Sequence, residues 1–151
     1  MKVLFSIVTL IFLNYTQAQA DFYTVLKKNN LEEIEKKINQ LATNKESSVN
    51  NAYLGTLLMK KSDFLKDLKT KIATFKKGHQ LLEKEISENQ SNTEYRFLRL
   101  AIQENAPKIL KYNTNIEEDA LFITKNYYKL NKGLKIIILE YSKQSILLNI
   151  Q

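Results

Sequence analysis

The sequence predicts an all-α protein. Three observations carry that prediction. Apolar residues recur at spacings of three and four through nearly every segment, which is the period of a helix face. Three glycines and one proline in 151 residues are too few to punctuate a set of strands and tight turns. No stretch stands out with the apolar–polar alternation of a half-buried strand.

The elements follow in chain order. The opening MKVLFSIVTLIFLNYTQAQADF has a positive start at Lys2, an uncharged apolar run from Val3 to Leu13, and a small-x-small box at Ala18-Gln19-Ala20. These are the parts of a secretory signal peptide, with cleavage expected between Ala20 and Asp21. The apolar run is shorter than the roughly 20 residues of a spanning helix. No transmembrane anchor is therefore expected after cleavage, and no cysteine is present to carry a lipid. Residues 21–151 are expected to form a single helical domain, long enough to bury a core.

Phe22 to Lys28 reads as a short helix closed by Asn29-Asn30. Leu31 to Ala42 places Leu31, Ile34, Ile38 and Leu41 on one face. TNKESS is a polar link, and Val49 to Lys61 is a third helix. Ser62-Asp63 reads as an N-cap pair for a long fourth helix. Its seam (Leu65, Leu68, Ile72, Phe75, His79, Leu82, Ile86) repeats at three and four. Unbroken from Asp63 to Glu88, it would span about 39 Å. Gly78 marks a kink or a close-packing point within it. ENQSN makes a turn. Thr93 to Asn105 is the fifth helix, and Pro107 opens a short sixth, in a first turn where its missing N–H costs nothing. Glu117 to Leu130 is the seventh, with its acids where the helix dipole favours them. Leu134 to Asn149 is the last, with Leu134, Ile137, Ile138, Tyr141, Ser145 and Leu148 on one side. About eight helices on short links imply a helix-hairpin array, either a superhelical stack or an irregular bundle.

The formal net charge is +7. Lysines alternate with acids, as in EEIEKKINQ and LLEKEISEN, which is the pattern of a solvated helical surface. No nucleic-acid motif accompanies the charge, so nucleic acid is not an expected partner. Adhesion of the lysine surface to an anionic envelope polymer is a weaker reading, and it would be sensitive to salt. The absence of cysteine excludes disulfides and thiolate metal sites.

Little points to catalysis. The single histidine, His79, sits in the apolar seam with no motif supplying a nucleophile or an orienting acid. One histidine cannot build a histidine-based metal site. Glu117, Glu118 and Asp119 read as a dipole-complementing first turn. No glycine-rich phosphate loop and no nucleophile elbow occur. The expectation is no enzyme, no cofactor and no metal.

The segment TEYRFLRLAIQENAPKILKY holds the only two arginines, Arg96 and Arg99, among 23 basic residues. On a helix, Arg96, Arg99 and Gln103 share one strip, while Tyr95, Phe97, Leu98, Leu100, Ala101 and Ile102 cover most of the rest. An enclosed strip suits arginine, whose planar fork is weakly hydrated and pairs with carboxylate or phosphate. Two partners stay open at this point. One is an internal acid, with Glu104, Glu117, Glu118 or Asp119 as candidates. The other is an anion site or groove wall built from Arg96, Arg99, Gln103 and Asn105.

AYLGTLLMKKSDF resembles the first helix of a tetratricopeptide repeat, through Leu54-Gly55. FKKGHQLLEKEISENQSNTEYRFLRL resembles a second helix, a turn and the next first helix. No fixed 34-residue period runs through the chain. EYRFLRLAIQENAPKILKYNTNIEEDALFI carries a resemblance to small, uncharacterised exported helical proteins of the Bacteroidota. That resemblance implies a bacterial protein in the periplasm or the medium, and it carries no activity with it. The functional expectation is a protein-interaction module of the cell envelope, binding another envelope protein or a peptide. The alternative is a carrier for an apolar or amphipathic small ligand held between helices.

Overall fold

The computed structural model describes residues 17–107 and 110–150. Among them there are seven α-helices and no strand. Helix α1 covers 17–28, so the cleavage junction expected after Ala20 lies inside it. Asn29 closes α1 in the left-handed region, at φ 49°, with its N–H on the Val25 carbonyl at 3.3 Å. Asparagine is one of the few residues that adopts this conformation readily.

The next elements are α2 (Leu31–Thr43), α3 (Ser48–Ser62), α4 (Leu68–Glu88) and α5 (Thr93–Asn105). They are followed by α6 (Ile116–Asn126), a 3-10 turn (Tyr127–Lys129) and α7 (Lys132–Ser142). Side chains cap five of these starts: Asn30, Ser47, Asp67, Asn92 and Asn131 each accept a backbone N–H from the first turn. Each such bond satisfies a donor that the helix itself leaves orphaned.

Three expected boundaries are corrected. The fourth helix begins at Leu68, not Asp63. The Asp63 N–H bonds back to Lys60 at 3.1 Å and finishes α3, and the true cap is Asp67, bonded to the Thr70 N–H at 2.8 Å. The seam shifts accordingly. Leu68 and Ile72 are exposed, while Phe75, Gly78, Leu82, Glu85 and Ile86 are buried. The seventh expected helix stops at Asn126 and tightens into the 3-10 turn. The last helix ends at Ser142 rather than Asn149. Beyond it the Ser145 hydroxyl donates to Glu104 at 2.7 Å and accepts the Leu148 N–H at 2.9 Å, so the chain bends away while Leu148 stays buried. The short sixth helix expected at Pro107 falls partly outside the described residues. What is seen of it is one turn, with the Leu110 N–H on the Pro107 carbonyl at 2.9 Å.

Helices α3 and α4 make the most extensive contact. They touch at Gly55 and Gly78, and a Cβ added at Gly55 would lie 2.7 Å from the Gly78 carbonyl oxygen. Gly78 is thus a close-packing point. Helix α5 lies at the centre, with Tyr95, Phe97, Leu98, Leu100 and Ile102 all buried. Helix α1 docks against it and α3 through aromatic rings: Phe22 stacks on Tyr53 at 3.8 Å, and Tyr23 meets Phe97 at 6.1 Å.

Candidate functional site

The two faces of α5 have different fates. One face carries Arg96, Arg99 and Gln103, as the helical spacing predicts, and it turns toward α4 and α6. Arg99 is 5% exposed and Asp119 is fully buried. Arg99 Nε and Nη2 donate to Asp119 Oδ2 and Oδ1 at 2.6 and 2.8 Å, and Nη1 donates to Glu83 Oε2 at 2.9 Å. Arg96 Nη1 donates to Glu118 at 2.8 Å and to Asp119 at 3.1 Å, and its Nε reaches the Gln90 carbonyl at 3.2 Å. The Arg96 guanidinium also lies 4.3 Å from the centre of the Phe122 ring. Burial works against the Arg99 charge, but the bond and charge of Asp119, with Glu83, outweigh it and hold its pKa above the ordinary arginine value. The hydrogen bond from Arg96 holds the Glu118 carboxyl below its ordinary value.

Both guanidinium groups are therefore committed to internal carboxylates. Of the four acids considered from the sequence, Glu118 and Asp119 are partners. Glu104 instead accepts from Tyr141 at 2.7 Å and from Ser145. Glu83 was missed because it sits beside the seam of α4 and only the fold brings it to Arg99. Tyr112 extends the network, donating to Glu83 at 2.6 Å. Burial, then the Glu83 charge, push its phenol well above the usual range. His79 lies edge-on to the Tyr112 ring at 4.6 Å. Gln103, 2% exposed, leaves both side-chain amide atoms without a hydrogen-bond partner.

Asn105 lies on the opposite side of α5, so the four expected site residues do not form one site. Its side chain donates to the Ala101 carbonyl at 2.9 Å and to the Tyr141 hydroxyl at 3.3 Å. It stands on the edge of a groove between α1, α5 and α7, with a volume of about 570 Å³. Tyr23, Leu26, Phe97, Ala101, Ile102, Ile137 and Tyr141 line it. Lys27, Lys60, Glu140 and Lys143 stand around it. Lys27 and Glu140 form an ion pair of 3.1 Å joining α1 and α7, with side chains 78% and 57% exposed. Such a pair in water contributes little, on the order of 0–1 kcal/mol, and is easily parted. The groove was not legible in the sequence because its walls come from three helices far apart in the chain.

Among the described residues, no cluster of three or more His, Cys, Asp or Glu side chains is placed to hold a metal ion. No helix among them is long and apolar enough to cross a membrane. Comparison with protein-family models, curated proteins and solved structures finds no match to this chain.

Proposed function

We propose that this chain is an exported, non-catalytic binding protein of the bacterial cell envelope, and that the groove between α1, α5 and α7 receives an apolar segment of a partner protein. The observation that carries this reading is the groove itself: an aromatic and aliphatic trough of about 570 Å³ with a polar edge. Apolar anchors from a partner peptide or helix fit such a trough, and its polar edge fixes their orientation. The leader-like N-terminus and the resemblance to exported Bacteroidota proteins support the location. The absence of a catalytic constellation in the sequence supports a binding role.

A second reading, a carrier for an amphipathic small ligand, is favoured by the volume, which falls within the range of roughly 300–1,000 Å³ typical of small-molecule sites. One experiment separates the two. Native mass spectrometry is run on the gently purified protein and on Ala101→Trp, which puts a large side chain into the groove lining. A co-purifying protein lost in the variant supports the interaction module. A small-molecule mass lost in the variant supports the carrier. A partner retained by Ala101→Trp counts against the groove in either role.

A further inference from the structure

Helix α7 is apolar on two opposite faces. The inner face, Leu134 and Ile138 with Ile137 and Tyr141 beside them, packs against the core. The outer face carries Lys132, Ile136, Leu139 and Lys143, spaced four, three and four, so the four side chains form one line along the helix. Ile136 is 52% exposed and Leu139 is 41% exposed. Past the end of the helix the line continues in kind, with Ile146 at 91% and Leu147 at 43% exposure. Half of the large exposed hydrophobic side chains in the described protein belong to this C-terminal stretch.

Lysines outnumber acids along this stretch. From Leu130 to Ile150 the charged residues are Lys132, Lys135, Lys143 and a single acid, Glu140. Glu140 pairs with Lys27 at 3.1 Å. Within this stretch the apolar tips stand among three lysines and one acid, and that acid is paired.

We infer that the outer face of α7, with Ile146 and Leu147, is a peripheral contact for an anionic lipid surface. Isoleucine and leucine tips enter the boundary of the acyl chains, while lysine stems lie along it and hold their ammonium groups at the headgroups. Anionic lipid supplies countercharge to the lysines of this stretch, which outnumber its one acid. A protein partner fits less well. Standard interfaces bury about 800 Å² on each side around a core depleted in lysine, whereas this ridge is one helix wide and begins and ends in lysine. The apolar tips lie apart from the groove, whose apolar α7 walls, Ile137 and Tyr141, are on the other side of the helix, while Lys143 borders both.

The test is co-sedimentation of the protein, purified with its natural N-terminus, with two kinds of vesicle. One is phosphatidylcholine alone and the other contains phosphatidylglycerol. The protein is expected to bind the anionic vesicles at low salt, at least about tenfold more tightly than the neutral ones, and to lose that advantage as salt rises. The double variant Ile136→Gln, Leu139→Gln changes only solvent-facing positions and is expected to weaken anionic-vesicle binding about tenfold or more. Leu68→Gln with Ile72→Gln, at an exposed apolar pair on α4, is expected to leave binding unchanged. Circular dichroism establishes that each variant is folded. Equal binding to both vesicles, or none to either, overturns the proposal. So does loss that follows the α4 pair instead of the α7 pair. Self-association that the α7 variant abolishes, without vesicle binding, would assign the ridge to a second copy of the chain.

Discussion

Arg99 and Asp119 meet across the α5–α6 interface in a two-point contact, fork to carboxylate, with both bonds at 2.8 Å or less. Neither side chain has appreciable access to water. Opposite charges in that setting are costly to separate, because the survivor keeps its desolvation penalty and loses its compensation. Asp119→Ala is expected to destabilise the fold by about 3–5 kcal/mol, read from denaturant unfolding. Arg99→Lys keeps the charge but loses the fork, so it too should lower the melting temperature. Unchanged stability in both variants would mean that the network is dispensable to the fold and would reopen the arginines as a binding site.

Gln103 gives the opposite sign. Its buried amide finds no partner, and an unsatisfied amide costs on the order of 1–3 kcal/mol. Gln103→Met keeps the length of the side chain and removes the polar atoms. It should stabilise the protein by about 1 kcal/mol or more in the same unfolding experiment. A loss of stability would show that the amide has a partner in solution.

The α3–α4 crossing depends on two missing methyl groups. In Gly55→Ala the new Cβ meets backbone, with the Gly78 oxygen at 2.7 Å and the Leu82 nitrogen at 2.9 Å, and neither can swing aside. The expected loss is about 1–3 kcal/mol, with a similar loss for Gly78→Ala. Gly133 is the control. A Cβ there has no neighbour nearer than 3.4 Å, and the position lies in the first turn of α7. Gly133→Ala should leave the melting temperature unchanged or raise it, since alanine is up to about 1 kcal/mol better than glycine within a helix.

Alkaline pH should unfold the protein. Tyr95, Tyr112 and Tyr141 are all held above their ordinary value of 10.0, chiefly by burial. Glu83 adds to the effect at Tyr112, and the Glu104 hydrogen bond adds to it at Tyr141. A raised folded-state pKa means that the native protein keeps a proton the unfolded chain gives up. Stability is then full below about pH 10 and drains as pH rises beyond it. Tyrosinate absorbance should show Tyr95, Tyr112 and Tyr141 keeping their protons while the fold holds. They should ionise only with loss of the helical circular dichroism signal. Ionisation of all three with the helices intact would contradict this.

How much of this was legible depended on how local the cause was. Thr93–Asn105 is the same in the sequence reading and in the structure, because Asn92 caps it and its apolar period is unbroken. The start of α4 misled, because Asp63 and Asp67 are both cap-forming residues, and the chain uses Asp63 to finish α3 and Asp67 to cap α4. The run from Leu134 to Asn149 has helical periodicity throughout, yet Glu104 draws Ser145 out of register. At the site, the arginine strip was visible as a change in residue usage. Glu83 and the groove were not, since each depends on which helices become neighbours.

Four long-range ties recur in one chemical form. Tyr23 and Tyr53 both donate to Glu94, at 3.1 and 2.7 Å. Tyr112 donates to Glu83 and Tyr141 to Glu104, at 2.6 and 2.7 Å. They join positions 29 to 71 residues apart, the separations that cross-links span in many small secreted domains. A phenol–carboxylate tie carries no electrons to gain or lose. A molecule fastened this way is indifferent to the redox poise of its surroundings: thiol reductants leave it fastened, and base is the reagent that undoes it.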